Sequence, residues 1–304
     1  MKVVVSGATG FIGRALVQAL AGRGDEIIAL TRDPAKAAGL GPSVQALAWQ
    51  PPQPGAWMDA LSGADGVVNL AGEPIVNKPW TRTQKERLIA SRVASTRAIV
   101  EAIRHAEPRP GVLVNQSAIG YYGSPGATPV TEESPAGDDF PAFITREWEA
   151  AARPAEALGV RLVILRTGIV LGAGGGALPP MTMPFRFFAG GTMGNPDQWF
   201  SWIHLEDEVG LIVYALTHDE VQGVVNATAP NPVTMDVFSH QIGEALGRPA
   251  LVPFYGTFMR LALGPERGKA ALASQRVLPA AAQSMGYEFR YPESGAALRA
   301  ILAR

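Results

Sequence analysis

A chain of 304 residues with 47% hydrophobic side chains can bury a large core, and its 26 basic and 27 acidic residues nearly cancel to a formal charge of −1. That balance, with no dense Lys/Arg run, lacks the electrostatic footprint that holds a nucleic-acid backbone or an anionic membrane surface. The absence of cysteine excludes disulfides, thiolate catalysis and cysteine-ligated metal centres.

No stretch approaches the ~20 apolar residues that span a bilayer, and "MKVVVSGATG" runs straight into a strand pattern, so a cytoplasmic protein is expected. The four histidines, His105, His204, His218 and His240, show no HExxH-type clustering, and no metal site is expected.

In chain order, "KVVVSG" (2–7), "EIIALT" (26–31), "GVVNLAG" (66–72), "GVLVNQSA" (111–118) and "RLVILRTGIVLG" (161–172) are short apolar runs rich in β-branched residues. Such runs, separated by amphipathic stretches, predict parallel strands buried on both faces. The crossover helices are predicted at 11–24, 84–106 and 138–152, where apolar residues recur three and four apart. From residue 173 the texture turns rich in Gly, Pro and aromatics, which marks the start of a substrate-side region. A helix at 202–216 and a strand at 223–230 are predicted to rejoin the sheet. A further helix follows at 233–247, and the remaining tail reads as mostly helical.

"GATGFIG" places Gly7, Gly10 and Gly13 between the first strand and the first helix. Glycines there permit a tight turn, a close backbone approach to a pyrophosphate, and a helix N-terminus aimed at the negative charge. Arg32 ends the second strand about 20 residues on, where an NAD-specific chain carries an acid for the ribose; an arginine favours a 2′-phosphate and hence NADP. The alternatives are that Arg32 is a solvated loop residue and that Asp33 takes the ribose. Leu70, Ala71 and Gly72 end the next strand, where backbone can pass the adenosine ribose or simply turn. "GAGGGALP" is not a Walker loop, since the chain's Gly268-Lys269 pair is followed by Ala; it reads as a flexible turn open to ligand contact.

With "SGATGFIG", "NLAGEPI", "SRVAST", "SAIGYYG", "RTGIVLG", "WIHLEDEV", "NATAPNPVT" and "LASQRVLP" in this order, the chain resembles the atypical extended short-chain dehydrogenase/reductases. Within them it is similar to the NAD-dependent epimerase/dehydratase-like branch called epimerase family proteins. The resemblance implies an α/β fold: a Rossmann-type doubly wound parallel sheet that binds NADP(H), with a smaller, mostly helical C-terminal substrate-side domain. The cofactor domain is expected over 1–172 with 202–230 returning to it, and the substrate-side domain over 173–201 and 231–304. By position, Gly7, Thr9, Gly10, Phe11, Ile12, Gly13, Thr31, Arg32, Leu70, Ala71 and Gly72 are expected to line the cofactor. Arg92 falls where most of the superfamily carries Asn, and is expected either to clamp a cofactor or substrate anion or to form a plain ion pair. Val170 falls on the segment that borders the nicotinamide in relatives.

Ordinary members of the superfamily pair a Tyr with a Lys one helical turn later, beside a Ser, so that the ammonium draws the phenol's pKa down from ~10. None of Lys2, Lys36, Lys78, Lys85 and Lys269 has a Tyr four positions before it. Aligning Glu149 with the acid that commonly follows the pair puts Pro141 on the Tyr slot and Thr145 on the Lys slot. Ser117 is the residue carried over, as a cofactor-side and catalytic candidate; Tyr121 and Tyr122 are the candidate proton donors or, alternatively, loop aromatics shaping the cleft.

Three functions therefore stand: an NADP-dependent oxidoreductase on a small carbonyl or alcohol, a non-catalytic NADPH-binding sensor, and an epimerase or dehydratase. In each the partner is a small molecule and the protein a monomer or homodimer. His204 and Asp207 resemble a dyad, but Asp207 is expected to act as a cap or tie. Trp80, Trp199, Trp202 and Phe200 form either an apolar substrate wall or core, and Lys78, Arg82 and Lys85 a solvated helix start.

Overall fold

The computed structural model describes residues 1–75, 78–252, 254–255 and 264–303. Seven strands, β1 (Lys2–Ser6), β2 (Glu26–Thr31), β3 (Val44–Ala48), β4 (Gly66–Asn69), β5 (Val112–Ala118), β6 (Arg161–Thr167) and β7 (Gly223–Ala227), form one parallel sheet. Their spatial order is β3-β2-β1-β4-β5-β6-β7, which reverses direction between β1 and β4. At such a switch point, the loops leaving neighbouring strands diverge and open a crevice at the strands' C-terminal ends.

Both sheet faces are covered, which is why the strands read as continuous apolar runs. Alternate side chains of β1 go to opposite layers. Val3 and Val5 pack against Leu16 and Leu20 of α1 (Phe11–Gly22), while Val4 packs with Ile99 and Ile103 of α2 (Arg82–His105). The α3 helix (Phe140–Ala152) lies beside α2, and its N-cap Asp139 accepts from the Ala142 amide at 3.0 Å.

Three elements differ from expectation. The β3 segment "VQALA" escapes the pattern because, as an edge strand, only one flank of it is paired and its side chains stay partly exposed. The run 161–172 is two strands, because the chain leaves the sheet at Gly168, where a Cβ would sit 2.9 Å from the Ser201 carbonyl oxygen. Ile169–Leu171 then pairs in parallel with Trp202–His204. The stretch expected as helix from 202 therefore begins as a strand, and the helix proper, Leu205–Thr217, starts after it, with His204 as its N-cap. In chain order this helix is α5, following α4 (Leu178–Arg186).

A separate apolar cluster joins Leu178 and Phe185 of α4 to Trp202, to Phe238 of α6 (Met235–Leu246) and to Leu298 of α7 (Ser294–Leu302). Trp202 and Phe200 are thus core, not cleft wall. Among the described residues, no helix is long and apolar enough to cross a membrane.

The first strand–helix turn is the tightest contact of the sheet. Gly7 adopts φ +71°, and a Cβ on Gly13 would lie 2.2 Å from the Gly7 carbonyl oxygen and 2.8 Å from Ala8 Cα, both backbone atoms. Gly13→Ala is expected to destabilise the chain by about 1–3 kcal/mol, as other overpacked contacts do, and to weaken dinucleotide binding with it. Chemical denaturation and a cofactor titration on the same sample check both.

Candidate functional site

The crevice is built from the C-terminal ends of β1, β2, β4 and β5. Gly10 caps α1 without a side-chain hydrogen bond, so the first-turn amides of Phe11, Ile12 and Gly13 point outward for an anion. Across from them runs the Leu70–Ala71 backbone, close enough that a Cβ on Gly7 would lie 2.8 Å from Leu70 C and O. This cradle, which any side chain would fill, fits a dinucleotide pyrophosphate. Thr9 is half-buried, and its carbonyl accepts from Arg14 Nε at 3.0 Å.

At the end of β2, Arg32 is exposed with no hydrogen bond or ion pair among the described residues. Its neighbours are committed locally: Asp33 caps the next turn, accepting from the Ala35 amide at 3.2 Å, and Thr31 Oγ1 bonds the Asp33 backbone. Phe11 is wrapped by the loop expected to be a flexible turn, since Cβ atoms on Gly172, Gly175 and Gly176 would each collide with its ring. Val170 is half-buried on Ile169–Leu171, below that loop.

Arg92, on α2, donates Nη1 to the Leu88 carbonyl at 3.1 Å and lies 5.0 Å from the Trp148 ring centroid, beside Gly72. Burial pulls its pKa down to about 10, only partly opposed by Glu73. It has no ion-pair partner among the described residues, so its plain ion-pair alternative is not what the structure contains.

Beneath the crevice lies a polar chain that sequence reading missed. Ser6 Oγ donates to Asn69 Oδ1 at 2.7 Å, Asn69 Nδ2 donates to Thr96 Oγ1 and Asn115 Oδ1, and Trp148 Nε1 donates to Thr96 Oγ1. The signal in the sequence is a polar residue closing an apolar run, as in "VVVS", "GVVN" and "VLVN".

Ser117, at the end of β5, is buried and donates its hydroxyl to Glu149 Oε1 at 2.7 Å. Glu149 in turn accepts two bonds from Arg166 of β6, Nε to Oε1 at 2.8 Å and Nη2 to Oε2 at 2.9 Å, with both side chains buried. Although burial opposes its charge, Arg166 is held above its ordinary pKa by Glu149. Its Nη1 donates to Tyr122 Oη at 3.1 Å, and Tyr122 donates to Asn226 Oδ1 at 2.7 Å.

Tyr121 and Tyr122 lie on a 3₁₀ turn, Ile119–Tyr122, and differ in what surrounds them. Tyr122 is buried, and burial raises its phenol pKa against the pull of Arg166. Tyr121 is half-exposed with the Arg166 guanidinium 3.3 Å from its ring centroid, and its hydroxyl makes no hydrogen bond among the described residues. The Tyr and Lys slots hold Pro141, against which Gly120 packs, and Thr145, whose hydroxyl donates back to the Pro141 carbonyl at 2.8 Å.

On the other face of the same strand ends, Gln116 Nε2 and Thr167 Oγ1 donate to Oε1 of the fully buried Glu208 at 3.3 and 2.8 Å. Glu208 Oε2 and Gln116 Oε1 are buried without a hydrogen-bond partner. Burial pushes the Glu208 pKa up to about 7, against the lowering effect of Thr167 and Gln116.

The remaining candidates have local partners. His204 Nδ1 accepts from the Glu206 amide at 3.1 Å, and Asp207 ties α5 to the tail by accepting from the Arg290 and Tyr291 amides at 2.7 and 2.9 Å. Lys78 pairs with Glu73, Arg82 with Glu86, and Lys85 with Glu266. Trp80 stacks edge-on with Phe140, and Trp199 is half-exposed. Among the described residues, no group of three potential metal ligands occurs.

A glycine cradle at the switch point of a seven-stranded parallel sheet defines a Rossmann-type dinucleotide-binding protein. Residues 3–227 match the model of the NAD dependent epimerase/dehydratase family, and residues 256–301 match a domain of unknown function, DUF1731. The chain belongs to the NAD dependent epimerase/dehydratase family. It is 42% identical to the chloroplastic epimerase family protein SDR39U1 homolog of Arabidopsis thaliana, over 99% of this chain and 87% of the relative. It is 38% identical to the human epimerase family protein SDR39U1 over the full length of both. A crystal structure of human SDR39U1 (isoform 2) with NADPH superposes with a TM-score of 0.88 at 36% identity, covering 100% of each chain.

Two outcomes follow from the buried charges. Glu149→Gln leaves Arg166 without its counter-charge and is expected to cost about 3–5 kcal/mol in chemical denaturation, much of it recovered by adding Arg166→Met. For Glu208, a folded pKa near 7 above an unfolded value of ~4.3 means the folded state binds the extra proton between them, so stability falls as pH rises through that window. Glu208→Gln is expected to remove the slope, its stability relative to the parent growing by on the order of 3 kcal/mol from about pH 4.5 to about pH 8.

Proposed function

We propose that this chain binds NADP(H) and is an oxidoreductase acting on a small carbonyl or alcohol at the crevice above β4 and β5. The observation that carries the cofactor reading is Arg32, an exposed guanidinium without a hydrogen bond or ion pair among the described residues, at the ribose position and next to an Asp33 already committed to a cap. The NADPH in the human relative's structure supports it. Gly7, Thr9, Gly10, Phe11, Ile12 and Gly13 would hold the pyrophosphate, Thr31 and Arg32 the 2′-phosphate end, and Leu70, Ala71, Gly72 and Arg92 the adenosine side, with Val170 toward the nicotinamide. Residues 173–201 and 231–304 would form the substrate side.

When bound, NADPH supplies the hydride. Tyr121 is the proton donor in this reading, because its hydroxyl makes no hydrogen bond among the described residues while Tyr122 and Ser117 each donate to a buried acceptor. Arg166 fixes the Tyr121 ring from beneath, and its own charge is fixed by Glu149. Ser117 then acts by holding Glu149 in place and reaches substrate only if that bond is exchanged.

The non-catalytic NADPH-binding reading is favoured by two observations: no lysine follows either tyrosine at the one-turn spacing, and burial raises the Tyr122 pKa instead of lowering it.

Arg32→Ser is expected to weaken NADPH binding about tenfold or more by loss of a charge-assisted bond while leaving NADH binding unchanged, which fluorescence titration reads directly. Absorbance of NADPH over a broad panel of aldehydes and ketones separates the two functions. Oxidation lost in Tyr121→Phe and retained in Tyr122→Phe supports the oxidoreductase; tight NADPH binding with no oxidation of any panel member sinks it in favour of the sensor.

A further inference from the structure

Residues 274–277 run along the rim of the turn that carries Tyr121. Gln275 Nε2 donates to the carbonyls of Ile119 and Gly123, at 2.9 and 2.7 Å, so it clamps both ends of that turn, and its own amide donates to the Trp199 carbonyl at 3.1 Å. The next residue, Arg276, pairs with Pro129 in a short parallel ladder while its neighbour Val277 is fully buried. The Arg276 side chain is left on the opposite side, with its guanidinium over the Trp199 indole, 4.4 Å from the ring centroid.

This guanidinium differs from those of Arg166 and Arg161, and from that of Arg92, whose Nη1 donates to the Leu88 carbonyl. Arg166 is paired with Glu149 and Arg161 with Asp219, whereas Arg276 has no ion pair among the described residues and its Nε is buried without any hydrogen-bond partner. The Nε is closed off from solvent, whereas the terminal nitrogens of the half-buried side chain have no hydrogen bond among the described residues and are the donors that can meet an acceptor from outside. Held over the half-exposed Trp199 indole, the guanidinium is ordered for a two-point bond to a planar oxyanion, and the neighbouring aromatic ring suits a flat apolar body.

We propose that Arg276 and Trp199 form a carboxylate-binding subsite, so that the substrate of the oxidoreductase proposed above is a small, flat organic acid whose carbonyl is presented to Tyr121. The subsite rests on that reading for its catalytic meaning but not for its existence, and the two are tested separately.

The probes are benzoate and its neutral isostere benzamide, titrated into the NADPH-loaded full chain by calorimetry and saturation-transfer NMR. Benzoate is expected to bind and benzamide to bind at least about tenfold more weakly, the loss of one charge-assisted contact. Arg276→Gln is expected to lower benzoate affinity about tenfold or more, with NADPH affinity unchanged as the control for folding. Trp199→Leu, which keeps the charge, is expected to weaken benzoate while preserving its preference over benzamide. No benzoate binding at about 20 mM, equal binding of benzoate and benzamide, or undiminished binding to Arg276→Gln overturns the subsite. Displacement of benzoate by inorganic phosphate at equal or lower concentration overturns the carboxylate assignment.

Benzoylformate with NADPH then distinguishes the two proposals. Benzoate binding that depends on Arg276, with no 2-oxo acid reduced, leaves the subsite standing and removes the oxidoreductase. Reduction at equal kcat/KM by the parent and Arg276→Gln leaves the oxidoreductase and removes the subsite.

Discussion

The ion pair between Arg166 and Glu149 organises the C-terminal ends of β5 and β6. Two charges taken out of water lose several kcal/mol of hydration each, and their attraction offsets this only if every remaining donor and lone pair finds a partner. The surrounding structure meets that demand: Ser117 donates to Glu149, while Tyr122 and the Glu132 carbonyl accept from Arg166. Glu132 extends the lattice by accepting from the Asn226 and Ala281 amides, which draws β7 and the C-terminal segment into the same framework. The turn carrying both tyrosines is therefore held by the buried charges on one side and by Gln275 at its two ends on the other, not by an α-helix.

This arrangement explains how the fold tolerates losing the usual Tyr–Lys pair. A proline and a threonine occupy those slots on α3, and the threonine hydroxyl is satisfied by its own helix. The cation near the phenols is supplied instead from β6, beneath the Tyr121 ring and not one helical turn from it. A charge in that position orders the ring without donating to its hydroxyl. The two polar tips of the turn thus differ: the Tyr122 hydroxyl is sealed in the network, and the Tyr121 hydroxyl makes no hydrogen bond among the described residues.

The strand ends sort into closed and open polar groups. The closed ones, Ser6, Asn69, Asn115 and Thr96, bond one another beneath the crevice and hold four elements at fixed spacing. The open ones are arginines at three points, Arg32, Arg92 and Arg276, each lacking a carboxylate partner among the described residues. An unpaired guanidinium keeps its donors open to an incoming anion, whether it is exposed like Arg32 or inward like Arg92. Glu208 is the counter-example: a carboxyl buried with one oxygen unmatched, whose burial raises its pKa to about 7 and so favours the neutral form more than in water.

The amino-acid sequence alone determined the layered fold and the cofactor cradle, because both are written in local rules. Short continuous apolar runs rich in β-branched residues and bounded by turn signals read as strands covered on two faces, and glycines at the first strand–helix turn are required by a backbone contact that no Cβ survives. It also disclosed that lysine is missing beside every tyrosine. The tertiary structure decided what replaces it. Ser117, Glu149 and Arg166 stand 32 and 17 positions apart in pairs, and nothing periodic links them; only the adjacency of β5, β6 and α3 brings them within hydrogen-bond reach. The edge strand β3, the break at Gly168 and the pairing of Arg276 with Trp199 share that character. Each is a consequence of which surface happens to lie opposite, and a chain's neighbours in space are set by packing of the whole core rather than by the spacing of its own residues.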